Sequence, residues 1–181
     1  MLLAQMTTER IGGSISLLVR FGNDLVSRKP VAIQTIDMTD EIPYISITRT
    51  FAAAPEDVFE AWTSPAQFGR WFGTESTTVE DVQMDVRVGG EWSARMILGE
   101  GAEIGWHGSY LEIEIPRRLV LSLSDRPGDQ FERVTVDLKE VDGGTEMTFT
   151  QSSGNVPPEN YSQLEQGWRS FFDDLSTVLV G

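Results

Sequence analysis

The chain has 181 residues, enough for one ordinary domain with something attached, and 40% of them are hydrophobic, enough for a real core. It has no cysteine, which excludes disulfides, thiolate metal sites and cysteine nucleophiles; no apolar run nears the ~20 residues of a membrane span; and the first residues do not read as a secretory signal, so the cytoplasm is the expected compartment. The formal net charge of −14 opposes phosphate backbones and anionic membrane surfaces, so neither nucleic acid nor a membrane is an expected partner.

The charge is unevenly spread. Residues 1–40 balance Arg10, Arg20, Arg28 and Lys29 against Glu9, Asp24, Asp37 and Asp40, so the net acidity sits on residues 41–181. This first stretch holds Gly12-Gly13, a weak apolar patch from Ile15 to Val19 that suggests a short helix near 14–21, and a linker-like Arg28-Lys29-Pro30. Residues 1–41 read as a poorly ordered N-terminal extension, with Met38 an alternative natural start, and residues 42–181 as the folded domain.

Tyr44 to Phe51 alternates and is rich in β-formers, a first strand. Pro55-Glu56-Asp57 opens a helix with Val58, Phe59 and Trp62 on its apolar stripe. Ser64-Pro65 starts a second short helix carrying Phe68, Trp71 and Phe72, stopped by Gly73. Val82, Met84, Val86 and Val88 then alternate with polar residues, a strand with one dry face. After a Gly89-Gly90 turn, Trp92, Ala94, Met96 and Leu98 continue the inward row. Gly99-Glu100-Gly101 turns again, and Ile104, Trp106, Gly108 and Tyr110 form a third row. Near Leu111 the apolar phase slips to Ile113 and Ile115, as a β-bulge would cause. Leu119–Leu123 comes after the turn at Pro116-Arg117-Arg118, and Asp125–Asp129 is a loop. Val134, Val136 and Leu138 mark a further strand, Asp142-Gly143-Gly144 a tight turn, and Met147 with Phe149 the last strand.

Pro157-Pro158-Glu159 begins a closing helix of about 20 residues, long enough to span ~30 Å. Its stripe is Tyr161, Leu164, Trp168, Phe171, Phe172, Leu175, Val178 and Leu179. The order strand, two short helices, six strands and a long helix predicts an α+β domain: a curved antiparallel sheet of about seven strands wrapped on the last helix.

Five tryptophans, Trp62, Trp71, Trp92, Trp106 and Trp168, all fall in this domain. Trp92, Trp106 and Trp168 face the interior, where they either line a cavity or fill a core; Trp62 and Trp71 lean toward core. The candidate ligand-binding set is Trp71, Trp92, Met96, Trp106, Tyr110, Phe149, Trp168 and Phe172, with Gln151 and indole N–H groups as added polarity. His107, the only histidine, has the parity opposite to Trp106 and Tyr110 and should point outward; alone it builds no histidine metal site. Arg95 and Glu91 also alternate outward, into solvent, while Glu103, Glu112 and Glu114 are too dispersed for an acid–base pair. No nucleophile elbow, phosphate loop or dinucleotide fingerprint is present, so no catalytic residue, metal or cofactor is assigned.

Several short motifs in this order resemble one family. They are Ile47-Thr48-Arg49-Thr50-Phe51, Ala54-Pro55, Val58-Phe59, Ala61-Trp62-Thr63-Ser64-Pro65, Arg70-Trp71-Phe72-Gly73 and Asp85-Val86-Arg87-Val88-Gly89-Gly90-Glu91-Trp92. His107-Gly108-Ser109-Tyr110, Glu112-Ile113, Pro116-Arg117-Arg118-Leu119-Val120 and Gly167-Trp168 complete the series. Together they resemble the START-like, helix-grip superfamily, in the branch related to the C-terminal domain of the activator of Hsp90 ATPase. The resemblance implies a helix-grip fold and a non-catalytic module for a small apolar or aromatic ligand. Two alternatives come with it: ring-forming or hydrolytic chemistry on a polyketide-like compound, and interaction with a chaperone or other protein.

Overall fold

In the computed structural model the chain divides into two units, Met1–Ile42 and Pro43–Gly181. The described residues are 5–11, 14–20, 44–73, 76–99, 101–126, 131–152 and 156–181; for the first two segments and Tyr44 only the backbone is described. Gly12-Gly13, the linker at Arg28-Lys29-Pro30, Met38, Glu100 and the loop residues Pro127–Asp129 lie outside them. In the first unit β1 (Gln5–Ile11) pairs antiparallel with β2 (Ser14–Arg20). The helix expected near 14–21 is therefore a strand. Ser16, Leu17, Leu18 and Val19 lack a helical stripe but satisfy a hairpin ladder opposite Glu9, Thr8, Thr7 and Met6.

In the second unit β3 (Tyr44–Phe51) leads into α1 (Pro55–Thr63) and α2 (Pro65–Trp71). Each short helix has proline at its start, where a missing N–H costs nothing. Six strands come next: β4 (Thr78–Met84), β5 (Glu91–Ile97), β6 (Glu103–Glu114), β7 (Arg118–Leu123), β8 (Glu132–Val141) and β9 (Gly144–Ser152). A 3-10 turn at Pro158–Asn160 precedes α3 (Tyr161–Val180), so the last helix starts a few residues later than its prolines suggest. The seven strands form one antiparallel sheet in the order β3-β9-β8-β7-β6-β5-β4, with β3 and β4 at its margins. With α3 packed on the concave side, this is the helix-grip arrangement. None of the helices is long and apolar enough to cross a membrane among the described residues.

Cross-strand pairing explains the interior rows. Ile45, Gln151, Val134, Leu121 and Tyr110 stand opposite one another across five successive strands, and all five are buried. Ile47, Phe149, Val136 and Leu119 form the next row. The phase slip expected at Leu111 is a register shift between Tyr110 and Glu112. Leu111 is exposed there, Ile113 turns inward, and Ile115 lies beyond the strand, 69% exposed rather than buried.

The fourth strand also ends early. Val86 and Val88 are exposed, not continuations of an inward row, because the chain leaves the sheet after Met84. A compact loop takes over, in which the Asp85 N–H donates to Glu91 O and the Gly90 N–H to Arg87 O. At Gly90 a Cβ would stand 1.9 Å from Asp85 O, so only glycine closes this turn. Within β4 a second irregularity between Glu80 and Gln83 puts Asp81 at φ +52°.

Candidate functional site: an aromatic interior

The concave face of the sheet and the inner faces of all three helices meet in one aromatic cluster. Trp62 and Trp71 stand 4.7 Å apart in an edge-on contact, Phe68 stacks on Phe72 at 4.5 Å, and Phe149 lies 4.4 Å from Trp168. Edge-on and offset pairs of this kind add about 0.5–1.5 kcal/mol each beyond the area they bury. The question left by the sequence, cavity or core, has a definite answer in this structure: the interior is packed, around a void of about 10 Å³. A water molecule needs roughly that much room, so the space is one water at most.

The wall of the void is apolar. α1 and α2 contribute Trp62 and Phe68, and Phe72 caps the end of α2; the sheet contributes Met84, Trp92, Tyr110, Leu121, Leu123 and Val134; α3 contributes Trp168. Of the residues picked out by sequence, Trp92, Tyr110 and Trp168 stand in this wall. Trp71, Met96, Phe149 and Phe172 are buried in the surrounding cluster. Trp106 is half-buried and meets Phe72 edge-on at 5.6 Å. Trp62, Phe68 and Phe72 stood outside the candidate set, because a helical stripe gives a buried face without saying which members meet the sheet's hollow; Met84, read on the inward row of its strand, stands in the wall as that row implied. Met84 alone among the ten wall residues is half-buried and reaches solvent; the other nine are buried.

Indole partners divide the tryptophans. The Trp71 N–H donates to Ala61 O at 2.8 Å and that of Trp92 to Ser122 O at 3.0 Å. Gly108 makes the second bond accessible: a Cβ there would stand 1.8 Å from Ser122 O and 2.7 Å from the Trp92 nitrogen. The Trp168 N–H donates to Gln151 Oε1, and Gln151 Nε2 donates in turn to Glu132 Oε2. Gln151 thus joins the interior as expected, but Glu132 was missed. It shares strand parity with Val134 and Val136, which was the readable signal. The N–H groups of Trp62 and Trp106 and the hydroxyl of Tyr110 are buried and have no hydrogen-bond partner. Burial, helped by the nearby Asp85 carboxylate, pushes the Tyr110 phenol up to about 12.

Outside the interior, His107 is half-buried on the convex face, edge-on to Phe131 at 5.4 Å, so the outward parity holds. Arg95 is not simply solvated: it bonds Glu80, Asp81 and Glu103, joining β4, β5 and β6 on the outer face. A larger hollow, about 850 Å³, opens to solvent between Ala52–Glu56 and Glu140–Gly144. Small and acidic side chains line it, with none of the interior's aromatic residues. No group of three His, Asp or Glu able to hold a metal occurs among the described residues.

Solved structures confirm the architecture. A protein of Nitrosomonas europaea superposes with a TM-score of 0.69 at 22% identity, over 77% of this chain and 96% of that one. One of Rhodobacter sphaeroides gives 0.66 at 25% identity over 76% and 91%. An AHSA1-like protein of Aeromonas hydrophila gives 0.66 at 24% over 75% and 91%. No curated protein matches the chain. The family model for activator of Hsp90 ATPase homolog 1-like proteins matches residues 52–180. By that match, and on the fold just described, the chain belongs to the activator of Hsp90 ATPase homolog 1-like family.

Proposed function

We propose that the Pro43–Gly181 unit is a non-catalytic module that takes one small apolar or aromatic molecule into its interior. The observation that carries this reading is the apolar void with a single solvent-reaching wall residue, Met84. A void of one water's size admits such a molecule only if the wall moves. Methionine is the wall's most adaptable side chain, unbranched with three rotatable bonds, and it stands at the end of β4, where the ladder stops. An outward swing of Met84 would open a path to Trp92, Tyr110 and Trp168 without breaking sheet hydrogen bonds.

Catalysis is less well supported. The phenol in the wall, pushed up to about 12, is far from the range for proton transfer near neutrality. A chaperone-docking role has no specific observation in its favour. The large apolar residues of α1 and α2, Val58, Phe59, Trp62, Phe68 and Trp71, are all buried, so these helices present no apolar patch.

The test is a fluorescence titration of the full chain with N-phenyl-1-naphthylamine, a neutral apolar dye. Saturable quenching of tryptophan emission at one dye per chain is expected. Met84→Ala should speed association several-fold, and Trp168→Ala should weaken binding. Absence of saturation, or unchanged binding in both variants with near-UV circular dichroism preserved, would refute the reading.

A further inference from the structure

The polar atoms of the interior narrow the ligand, provided the interior is the binding site. Buried N–H and O–H groups in proteins are almost always hydrogen-bonded, because leaving one unmet costs about 1–3 kcal/mol. Three of the five indoles here meet that rule, bonded to Ala61 O, Ser122 O and Gln151 Oε1. The exceptions are not scattered. Trp62 and Tyr110, 2% and 1% exposed, both stand in the wall of the void, and both leave their polar atom without a partner. Trp106, with the third unmet donor, packs on the wall residue Phe72.

Every one of these atoms can donate, and an indole N–H can do nothing else. The complementary group is therefore an acceptor. Its charge is constrained as well. No Lys, Arg or His lines the void, the Asp85 carboxylate lies close enough to disfavour a phenolate at Tyr110, and the chain carries −14. An anion would be buried without a counter-charge, at a cost that neutral dipoles do not incur. We infer that the site selects an uncharged aromatic or apolar molecule bearing a carbonyl-type acceptor, such as a ketone, quinone, ester or amide, held by the Tyr110 hydroxyl and the Trp62 indole N–H. Hydrocarbons of the same shape would leave both donors unmet, and carboxylates or phosphates would bring an uncompensated charge.

Three matched naphthalenes test this on the full chain: 6-propionyl-2-(dimethylamino)naphthalene, its 6-propyl analogue without the oxygen, and 6-(dimethylamino)-2-naphthoate. The ketone should bind at least tenfold tighter than either of the others. Tyr110→Phe removes one oxygen and should reduce the ketone's advantage over the propyl compound about fivefold; Trp62→Phe should act in the same direction. Equal affinity of ketone and propyl compound in the wild-type chain overturns the inference without reliance on any variant. So does equal or tighter binding of the carboxylate, or a Tyr110→Phe effect that is the same for all three. If none of the three binds while N-phenyl-1-naphthylamine does, this inference falls and the proposed function stands; if none of the four binds, both fall.

Discussion

Tyr110 shows what single residues contribute to this fold and what a sequence reveals of them. Its inward orientation was readable, since it shares parity with Ile104, Trp106 and Gly108. Its missing hydrogen-bond partner was not, because the wall around it comes from α1, α2, four other strands and α3. The same non-locality hid the reason for Gly108, which lies in β7's approach at Ser122 rather than in its own strand. The raised phenol has a thermodynamic consequence. Unfolded tyrosine ionises near pH 10, whereas Tyr110 in the folded chain does so at about 12. Its folded-state proton therefore stabilises the fold fully below pH 10, and that contribution declines as pH rises toward 12. At two pH units the loss is at most about 3 kcal/mol. Urea unfolding measured from pH 9 to 12 should show a steeper loss of stability in the wild type than in Tyr110→Phe; parallel curves would contradict it.

At the scale of elements, strands and helices were legible wherever periodicity was unbroken, and misread where the chain leaves the sheet. Val86 and Val88 keep perfect alternation with Asp85 and Arg87, yet they sit in a loop held by bonds within Asp85–Glu91 and by two with β6, where the Gly89 N–H donates to Tyr110 O and the Tyr110 N–H to Gly90 O. Alternation records which side chains differ in polarity; it cannot record that a neighbouring strand has ended. Packing of α3 on the sheet was visible in its apolar stripe, but its polar clasp was not. Arg49 of β3 donates to Asp173 Oδ1 at 2.6 Å and to Ser176 Oγ at 3.0 Å. Asp173 is largely exposed, so the clasp is screened by solvent and its worth is about 1 kcal/mol or less. Arg49→Met, which keeps most of the stem, should lower stability by that amount at low salt and by less at 1 M salt. Equal loss at both salt concentrations would mean that packing, and not charge, holds the helix there.

For the whole molecule, the fold class emerged from element order alone, while the state of its interior did not. Counting apolar residues per row gives the wall, but whether ten side chains close on one another depends on how far the sheet curves, which no local pattern encodes. The chain divides into compact units between Ile42 and Pro43. Residues 42–181 are accordingly expected to fold without the segment before them. A chain starting at residue 42 should unfold cooperatively within about 1 kcal/mol of the full-length protein; a molten, non-cooperative transition would show that residues 1–41 are part of the fold. The seven-stranded sheet also never closes on itself, and β4 pairs on one side only among the described residues. The free side of such a strand is a template on which a second molecule can add its own strand and start a filament. In β4 the left-handed Asp81 interrupts the ladder after three residues, with the exposed carboxylates of Glu80 and Asp81 at the break. A strand margin broken by a bulge and carrying charged side chains is a poor template for such addition, so the irregularity at Asp81 works against self-assembly at this edge.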